Sequence, residues 1–502
     1  MTKIALVFLF AFLLLGCTTK KKITAQNNNQ ADAYAKTITQ KDLKKHLTVL
    51  ASDEYEGRET AMPGQKKAAK YIADYFQSIG LKKGYYDTSY FQKFPVDVKD
   101  PSKVSITIGT DSLVFLDDFY YLGNFADTNL KDLEIVYLGY GVIGENYSDY
   151  EGIDTKGKVL IVQQGLPQGI ELKGDWNNWR KKLKVAEDHG AVALFTIQKD
   201  FDDRVERIRS YIQNPRMQLH NKGNRSKIKS TPNFILSPRT ASTYLGINKE
   251  TKNGKLTPKM NLNLAINQTL ESDNVLGFIE GTDKKDEIVI LTAHYDHLGY
   301  DAGEICNGAD DDGSGTVAVL ELAQAFAEAK KAGNAPRRSI LFMTVSGEEK
   351  GLLGSEYYTN NPVFPLQNTV VDLNIDMIGR VDDKHTDNNY IYLIGSDKIS
   401  SDLHQISEKV NNEKIHFELD YTYNDEDDPN RFYYRSDHYN FAKNDIPVIF
   451  YFSGTHEDYH KPTDDVEKID FEKLEKTAKL VFYTAWEIAN RENNLNRITK
   501  KD

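Results

Sequence analysis

Two histidines and three carboxylates stand at the ends of apolar runs in the second half of the chain. They are His294 in AHYDHLG, Asp311 in NGADDDGSG, Glu349 in SGEEKGLLGS, Asp376 in NIDMIGR and His460 in DYHKPTDD. Imidazole nitrogens and carboxylate oxygens suit a pair of zinc ions that share one carboxylate and one water. Glu348, directly before Glu349, adds a carboxylate that could take the proton of that water. This set of side chains predicts metal-assisted hydrolysis.

The apolar runs before these residues predict the elements that position them. Strand-like runs lie at 287–293, 339–345, 370–376 and 446–452. A helix is predicted from about Gly315 to Lys330, and strands alternating with helices favour a mostly parallel sheet covered on both faces. Ligands of such a sheet gather beyond the carboxyl ends of its strands. The runs therefore bring the proposed ligands to one edge of an α/β sheet.

Two further side chains follow His294 closely. Asp296 lies two residues beyond it and shares a strand face with it, because side chains alternate along a strand. The Asp296 carboxylate could accept the second N–H of the imidazole and fix its tautomer. His297 points to the opposite face, so we interpret it as a supporting or structural residue rather than a ligand.

Length and charge limit the classes of protein to consider. The chain has 502 residues, which predicts two domains plus a leader. Its net charge of −11 argues against general nucleic-acid binding. We therefore expect no nucleic-acid partner.

The first 17 residues have the pattern of a targeting segment. Lys3 precedes an apolar run from Ile4 to Leu15, which is too short to span a bilayer as a mature helix. The following L-L-G-C resembles a bacterial lipobox, which implies a lipidated Cys17 and a flexible tether over 18–37. The alternative is a plain secretion signal with an incidental cysteine. A lipid anchor would place the protein in the bacterial cell envelope, at the outer membrane facing the periplasm or the cell surface.

Cys306 is the one cysteine left after the leader, so no intramolecular disulfide can form. It lies five residues before Asp311, where a thiolate ligand or nucleophile is conceivable. A cysteine nucleophile needs a partnered base, and the sequence shows none. We interpret Cys306 as a small side chain packed near the site.

In the first half of the chain, the block from about 100 to 262 carries no such cluster. Leu43, Leu47 and Leu50 predict one helix, and the apolar spacing over 65–79 predicts another. From about 100 to 262 short β-type runs alternate with turns. The basic stretch 204–229 within this block is predicted to be a solvated surface loop, with a site for an acidic partner as the alternative.

Taken together, the motifs around the proposed ligands resemble the co-catalytic dizinc aminopeptidases, a family of secreted bacterial leucyl-type enzymes. The resemblance covers about 40–95 and 270–490, and all five ligand motifs occur in order. It implies that two zinc ions bind per chain. His294 and Asp376 would hold one ion, Glu349 and His460 the other, and Asp311 would bridge them.

The same resemblance implies roles for three more residues. Glu348 matches the general base of the family, and Asp296 matches the carboxylate that supports the first histidine. Tyr459 matches a tyrosine that stabilises the oxyanion in some members, with Tyr433 and Tyr434 as rivals for that role.

The middle block resembles a protease-associated domain inserted into the peptidase domain. LEIVYLGYGV, YEGIDTKGKVLIVQQG and TPNFILSPRTASTYL carry this resemblance. It predicts a zinc peptidase domain over 38–99 plus 265–492 and a mainly-β insertion over 100–264. The larger domain is expected to have the phosphorylase/hydrolase-like fold, a mostly parallel mixed sheet flanked by helices.

The resemblance implies an exopeptidase that releases N-terminal residues from peptides. The acidic run 425–428 is a candidate to bind the free amino group, with a solvated loop as the alternative. A carboxypeptidase-like member stays open because Arg380 and Arg435 could bind a substrate carboxylate. A glutaminyl-cyclase-like member would keep one zinc, and a non-enzymatic peptide-binding module would have lost ligands or base.

A second zinc motif, H-E-x-x-H, occurs at 456–460. It works only on a helix, where both histidines share a face. Pro462 follows the second histidine by two residues and would break such a helix. We therefore do not expect this motif to bind zinc on a helix.

Overall fold

The computed structural model describes residues 30–122, 128–213, 215–220, 231–264 and 267–498. The predicted leader with Cys17 lies outside the described residues. The chain divides into two compact units, one formed by the residues up to Pro95 and from Glu271 onward, the other by Val96–Leu270. The insertion predicted at 100–264 falls within the second unit.

Among the described residues from residue 40 onward, the α-helices are numbered in chain order. They are α1 (Gln40–Leu50), α2 (Pro63–Ser78), α3 (Trp179–Asp188), α4 (Phe201–Gln213), α5 (Pro238–Leu245), α6 (Gly315–Lys331), α7 (Leu353–Asn360), α8 (Ser401–Val410), α9 (His438–Ala442) and α10 (Phe471–Asn490). Over the same part of the chain, no helix combines the length and the apolar character needed to cross a membrane.

The strands follow the same convention. They are β1 (Lys82–Lys83), β2 (Phe91–Lys99), β3 (Ser105–Ile108), β4 (Asp111–Ser112), β5 (Phe119–Leu122), β6 (Asn129–Tyr137), β7 (Val159–Gln163), β8 (Ala193–Ile197), β9 (Arg216–Leu219), β10 (Asn233–Leu236), β11 (Gly254–Asn263), β12 (Asn267–Ile279), β13 (Lys284–His294), β14 (Gly299–Asp301), β15 (Glu304–Cys306), β16 (Arg338–Val345), β17 (Thr369–Ile375), β18 (Tyr390–Ile394), β19 (Glu418–Asp420) and β20 (Val448–Phe452).

The first unit is built on a mixed sheet with a parallel centre. Its strand order is β19-β18-β20-β17-β13-β16-β12, and β20, β17, β13 and β16 run parallel. β12 and β18 border this centre in antiparallel pairs. The predicted mostly parallel mixed α/β sheet is confirmed. The four central strands end on one edge of the sheet, where the proposed ligands follow them.

The long helix α6 is the centre of the core beside this sheet. Its buried residues include both apolar and small side chains around most of its circumference, as expected of a helix enclosed on all sides. Phe326 stacks on Trp486 of α10 with ring centroids 5.7 Å apart. α6 begins at Gly315, shortly after Asp311 and Asp312, so this packing restrains the loop that carries them.

The second unit contains a separate sheet with its own core. The strand order is β4-β3-β11-β6-β7-β8-β10-β5, with β6, β7, β8 and β10 parallel. Its buried side chains include Ile135, Ile161, Phe195 and Phe234. α3, α4 and α5 also belong to this unit, and its resemblance to a protease-associated domain stays a prediction.

The basic stretch 204–229 was expected to be a surface loop, and this is wrong for the part that the structure describes. Arg204 and Arg207 lie on α4, and Arg216 begins β9, which pairs with the end of β2. Val205 and Ile212 are buried at helical spacing, and this apolar face accounts for the helix. Residues 221–230 lie outside the described residues.

Candidate metal centre

All five proposed ligands lie together at the carboxyl edge of the first unit's sheet. His294 is the last residue of β13, Asp376 follows β17 directly, Glu349 lies in the loop after β16, and His460 lies in the loop after β20. Asp311 precedes α6. Because β20, β17, β13 and β16 are parallel neighbours, their following loops meet at the same place.

A first group contains His294, Asp311 and Asp376. The Nε2 atom of His294 lies 3.3 Å from Oδ1 of Asp311 and 3.6 Å from Oδ1 of Asp376. All three side chains are buried, and one ligand atom from each falls within a radius that a single cation can bridge. The second oxygen of Asp376 accepts a hydrogen bond from the Ser436 hydroxyl at 2.6 Å, which orients the carboxylate.

A second group shares Asp311 with the first. The Nε2 atom of His460 lies 3.1 Å from Oδ2 of Asp311 and 3.3 Å from Oε2 of Glu349. The two oxygens of Asp311 thus face different histidines. Burial would raise the pKa of Asp311, but its contacts with His294 and His460 hold it well below the usual value. Asp311 is therefore an anion placed between the two groups.

The loop that carries Asp311 is held by two neighbouring carboxylates. Asp464 accepts the backbone N–H of Asp310 at 3.0 Å and that of Asp311 at 3.1 Å. Asp312 accepts the backbone N–H of His294, of Met377 and of Gly315, the first residue of α6. The Asp312 carboxylate thus ties the Asp311 loop to the ends of β13 and β17.

Gly315 makes this arrangement sterically feasible. A Cβ atom there would lie 2.5 Å from an oxygen of Asp312 and 2.5 Å from the carbonyl oxygen of Ile375. Such a contact would push α6 away from the loop that it positions.

Glu348 projects into the same pocket without joining either group. Its Oε2 atom lies 3.8 Å from Nε2 of His294, and its side chain is 12% exposed. Burial, followed by the nearby carboxylates of Glu349 and Asp376, raises the pKa of Glu348 well above its usual value. A carboxylate with a raised pKa at this position is suited to accept a proton.

His297 lies closer to the second group than the sequence suggested. Its Nδ1 atom is 2.8 Å from Oε1 of Glu349 and 3.8 Å from Oδ2 of Asp311, and the ring is fully buried. The strand alternation that turned it away from His294 turned it toward Glu349. The backbone N–H of His297 donates to the carbonyl of Arg58, so the residue also links the centre to the N-terminal part of the chain.

Asp296 supports His294 in a different way from the one expected. The Nδ1 atom of His294 lies 3.1 Å from the backbone carbonyl oxygen of Asp296, whereas the nearest carboxylate oxygen is 3.8 Å away. The carboxylate instead accepts the hydroxyl of Thr60 at 2.6 Å and the backbone N–H of Glu348 at 3.3 Å. Asp296 therefore joins the His294 strand to the Glu348 loop.

Tyr459 is the tyrosine that lines the pocket. Its ring stacks on His460 with centroids 3.8 Å apart, and its hydroxyl accepts a hydrogen bond from Arg435 at 3.2 Å. The rivals lie elsewhere: Tyr433 packs between Gly395 and His438, and Tyr434 is 43% exposed. The geometry favours Tyr459 as the hydroxyl that can reach a substrate oxygen.

Asp458 holds the loop that carries Tyr459 and His460. Its carboxylate accepts hydrogen bonds from Arg380 at 2.9 Å and from Thr463 and Lys468 at 2.6 Å each. His460 has a left-handed backbone conformation with φ 59°, which costs a non-glycine residue about 1–3 kcal/mol. The Asp458 contacts maintain that conformation.

A pocket with a cavity volume of about 30 Å³ lies beside the two groups. Met377, Phe432, Phe450 and Phe452 form an apolar part of its lining, and Arg435 is a charged residue at the same pocket. Arg380, the other arginine considered for a substrate carboxylate, is bound to Asp458.

The acidic run 425–428, His456 and Cys306 do not line this pocket. Within the acidic run 425–428, Asp425 and Asp428 accept backbone N–H groups of their own turns. The H-E-x-x-H segment is a turn rather than a helix, and His456 contacts Asp310. Cys306 is buried, which raises the pKa of its thiol to about 11, and it belongs to neither ligand group.

The comparisons with known proteins agree with this geometry. Residues 274–485 match the model of peptidase family M28. The chain is 28% identical over 360 residues to "Aminopeptidase YwaD" of Bacillus subtilis, an alignment that covers 69% of this chain and 66% of that protein. It is 25% identical over 346 residues to "Probable glutamate carboxypeptidase AMP1" of Arabidopsis thaliana, covering 61% and 47% respectively.

A solved structure extends the likeness to the whole fold. The aminopeptidase from Aneurinibacillus sp. strain AM-1 superposes with a TM-score of 0.52 at 20% identity, covering 94% of this chain and 98% of that one. Residues 274–485, the stretch that matches this family, contain every proposed ligand.

The titration of His460 predicts how a metal ion binds. Burial alone would lower the pKa of His460, but the carboxylates of Asp311 and Glu349 raise it to about 10. A metal ligand must be a neutral imidazole, so at a pH of about 7 zinc has to displace a proton. Calorimetric titration in two buffers of different ionisation enthalpy should show proton release, and zinc affinity should rise with pH. Binding without proton release would contradict this assignment.

Proposed function

We propose that the protein is a zinc-dependent aminopeptidase that hydrolyses the first peptide bond of peptide substrates. The observation that carries this proposal is the position of Asp311, whose two carboxylate oxygens face His294 and His460 at 3.3 and 3.1 Å. One buried carboxylate shared by two ligand groups is the arrangement that a two-metal hydrolase needs.

The donor set fits two zinc ions. His294, Asp311 and Asp376 would hold one ion, and Asp311, Glu349 and His460 the other, with His297 supporting Glu349. The Oδ2 atom of Asp311 and the Nε2 atom of His297 are buried without a hydrogen-bond partner among the described residues. Buried polar atoms normally have partners, and a cation at the second group would supply one to Asp311.

Zinc held by these residues would supply a water with a pKa lowered to about 7 and would polarise a carbonyl group. Glu348 takes up the proton of the attacking water and passes it to the leaving amine. Tyr459, held by Arg435, donates a hydrogen bond to the oxygen of the scissile carbonyl as negative charge develops there. Asp312 and Asp464 keep Asp311 fixed throughout.

The apolar side chains in the pocket support a preference for an apolar first residue. Met377, Phe432, Phe450 and Phe452 line the same cavity as Glu348 and His294. Apolar surface of the first residue that is removed from water against them would contribute about 25 cal/mol per Å². Arg435 at this pocket keeps a carboxypeptidase open as the second candidate, because a guanidinium can bind a substrate carboxylate.

Replacing the proposed base tests the mechanism. Glu348→Gln removes the proton acceptor and keeps the shape, so we expect kcat to fall by about 100- to 10,000-fold with the zinc content unchanged. The matched variant Glu349→Gln alters the adjacent ligand and should instead reduce the zinc content. Peptidase activity of Glu348→Gln equal to that of the wild type would exclude Glu348 as the base.

Substrates blocked at either end separate the two candidate activities. An aminopeptidase should cleave leucyl anilide and C-terminally amidated leucyl peptides, because it needs only the free amino terminus. N-acetylation should abolish cleavage, and a glutamyl anilide should react more slowly than the leucyl compound. Release of the last residue from an N-acetylated peptide, measured by mass spectrometry, would establish the carboxypeptidase instead.

We further propose that Cys17 carries a lipid that anchors the protein in the cell envelope, on the strength of the L-L-G-C sequence after an apolar run. With Cys17→Ser, the protein should move from the membrane fraction to the soluble fraction of the cell. Equal membrane association of the two forms would rule out this anchor.

A further inference from the structure

An arginine outside the M28 match lies beneath the proposed metal centre. Arg58 belongs to the segment between α1 and α2, and its side chain is almost completely buried. The family match begins at residue 274. The proposed ligands lie between residues 294 and 460, so Arg58 is distant from all of them in the sequence.

The guanidinium of Arg58 donates hydrogen bonds to four backbone carbonyl oxygens. The Nε atom donates to the carbonyl oxygen of Tyr295 at 2.8 Å. One terminal nitrogen donates to the carbonyl oxygens of Leu50 at 2.8 Å and Asn307 at 2.7 Å, and the other terminal nitrogen donates to that of Gly308 at 2.9 Å. Tyr295 is adjacent to His294, whereas Asn307 and Gly308 begin the loop that leads to Asp311. Arg58 thus joins the backbones on either side of the first ligand group.

The charge of Arg58 also faces the centre. Burial lowers the pKa of its guanidinium below the usual value, and nearby carboxylates oppose that shift. These carboxylates belong to Asp296, Asp464, Asp311 and Asp312. Each of them either is a proposed ligand or holds one in place, so a buried cation here offsets part of their mutual repulsion.

The residues next to Arg58 contact the centre as well. The hydroxyl of Thr60 donates to Asp296 at 2.6 Å, and Glu59 pairs with Lys350 at 3.1 Å, directly after Glu349. At Gly57, with φ 61°, an added Cβ would lie 2.3 Å from the carbonyl oxygen of Gly299. The segment therefore packs directly against the backbone of the chain between His294 and Asp311.

We propose that Arg58 and Thr60 are positioning residues that hold the His294 and Asp311 loops at the separation that metal binding requires. This inference rests on the proposed zinc centre. It means that the centre is completed by a part of the chain that precedes the second unit, and that residues 274–485 alone would bind zinc more weakly than the full chain.

The test measures zinc binding by the metal-free full-length protein, without reference to activity. Arg58→Lys keeps the charge but cannot reach four carbonyls, and Thr60→Val keeps the shape but loses the donor. We expect both to weaken zinc affinity by about 10- to 100-fold, the usual effect of removing partners of metal ligands. With cobalt in place of zinc, the visible absorption bands should also shift in both variants.

Arg338→Lys is the matched control. Arg338 is also fully buried, and it donates hydrogen bonds to the backbone carbonyls of Ile488 and Arg491. It is the first residue of β16, at the opposite end of that strand from the loop that carries Glu349. This variant should lower the melting temperature and leave zinc affinity and the cobalt spectrum unchanged.

The outcomes separate this inference from the proposed function. Wild-type affinity in both Arg58→Lys and Thr60→Val, with the wild type binding zinc, would overturn the positioning role and leave the centre intact. An equal loss of affinity in Arg338→Lys would overturn it too, since the effect would then follow general stability. If Arg58→Lys does not fold, the zinc affinity of Thr60→Val alone tests the positioning role. A wild-type chain that binds no zinc would overturn the proposed function itself.

Discussion

The structure of the site depends on one constraint: a single buried carboxylate has to face two groups of ligands at once. Asp311 satisfies it because its loop is fixed by backbone hydrogen bonds to Asp464 and by the links from Asp312 to His294 and Met377. Isolated, these buried carboxylates would repel one another strongly. The proposed metal ions would offset part of this repulsion, which links the fold to the proposed chemistry.

The parallel strands and the helix that follows Asp311 place the ligand loops so that this constraint is satisfied. β20, β17, β13 and β16 deliver ligand loops to one edge, and the enclosed helix α6 fixes the loop between β15 and itself. Hydrogen bonds from Ser436 to Asp376 and from Thr60 to Asp296 then orient individual carboxylates. Packing of the strands and α6 thus places the ligand loops, and hydrogen bonds to individual carboxylates then orient the ligands, as partners of metal ligands commonly do.

Much of this was predictable because the signals are local. Apolar runs ending in His294, Asp376 and the Glu348–Glu349 pair predicted both the strands and the edge at which they end. The predictions that failed depended on contacts between residues that are far apart in the sequence. The alternation of side chains correctly predicted that His297 points away from His294, but it could not predict that His297 contacts Glu349. The Asp296 carboxylate was expected to bind the His294 ring, and it instead accepts a hydrogen bond from the hydroxyl of Thr60. The sequence around Arg58 has no metal-type pattern, since its partners are backbone carbonyls that only the fold brings near it. On α4, an apolar face that includes Val205 and Ile212 was hidden by the surrounding arginines.

A crystal structure of the zinc-loaded protein, with anomalous diffraction recorded at the zinc absorption edge, tests the central claim most directly. The account predicts two zinc peaks of similar occupancy, with one carboxylate oxygen of Asp311 coordinating each. A single peak in fully loaded crystals, or an Asp311 side chain that contacts only one of two ions, would contradict it.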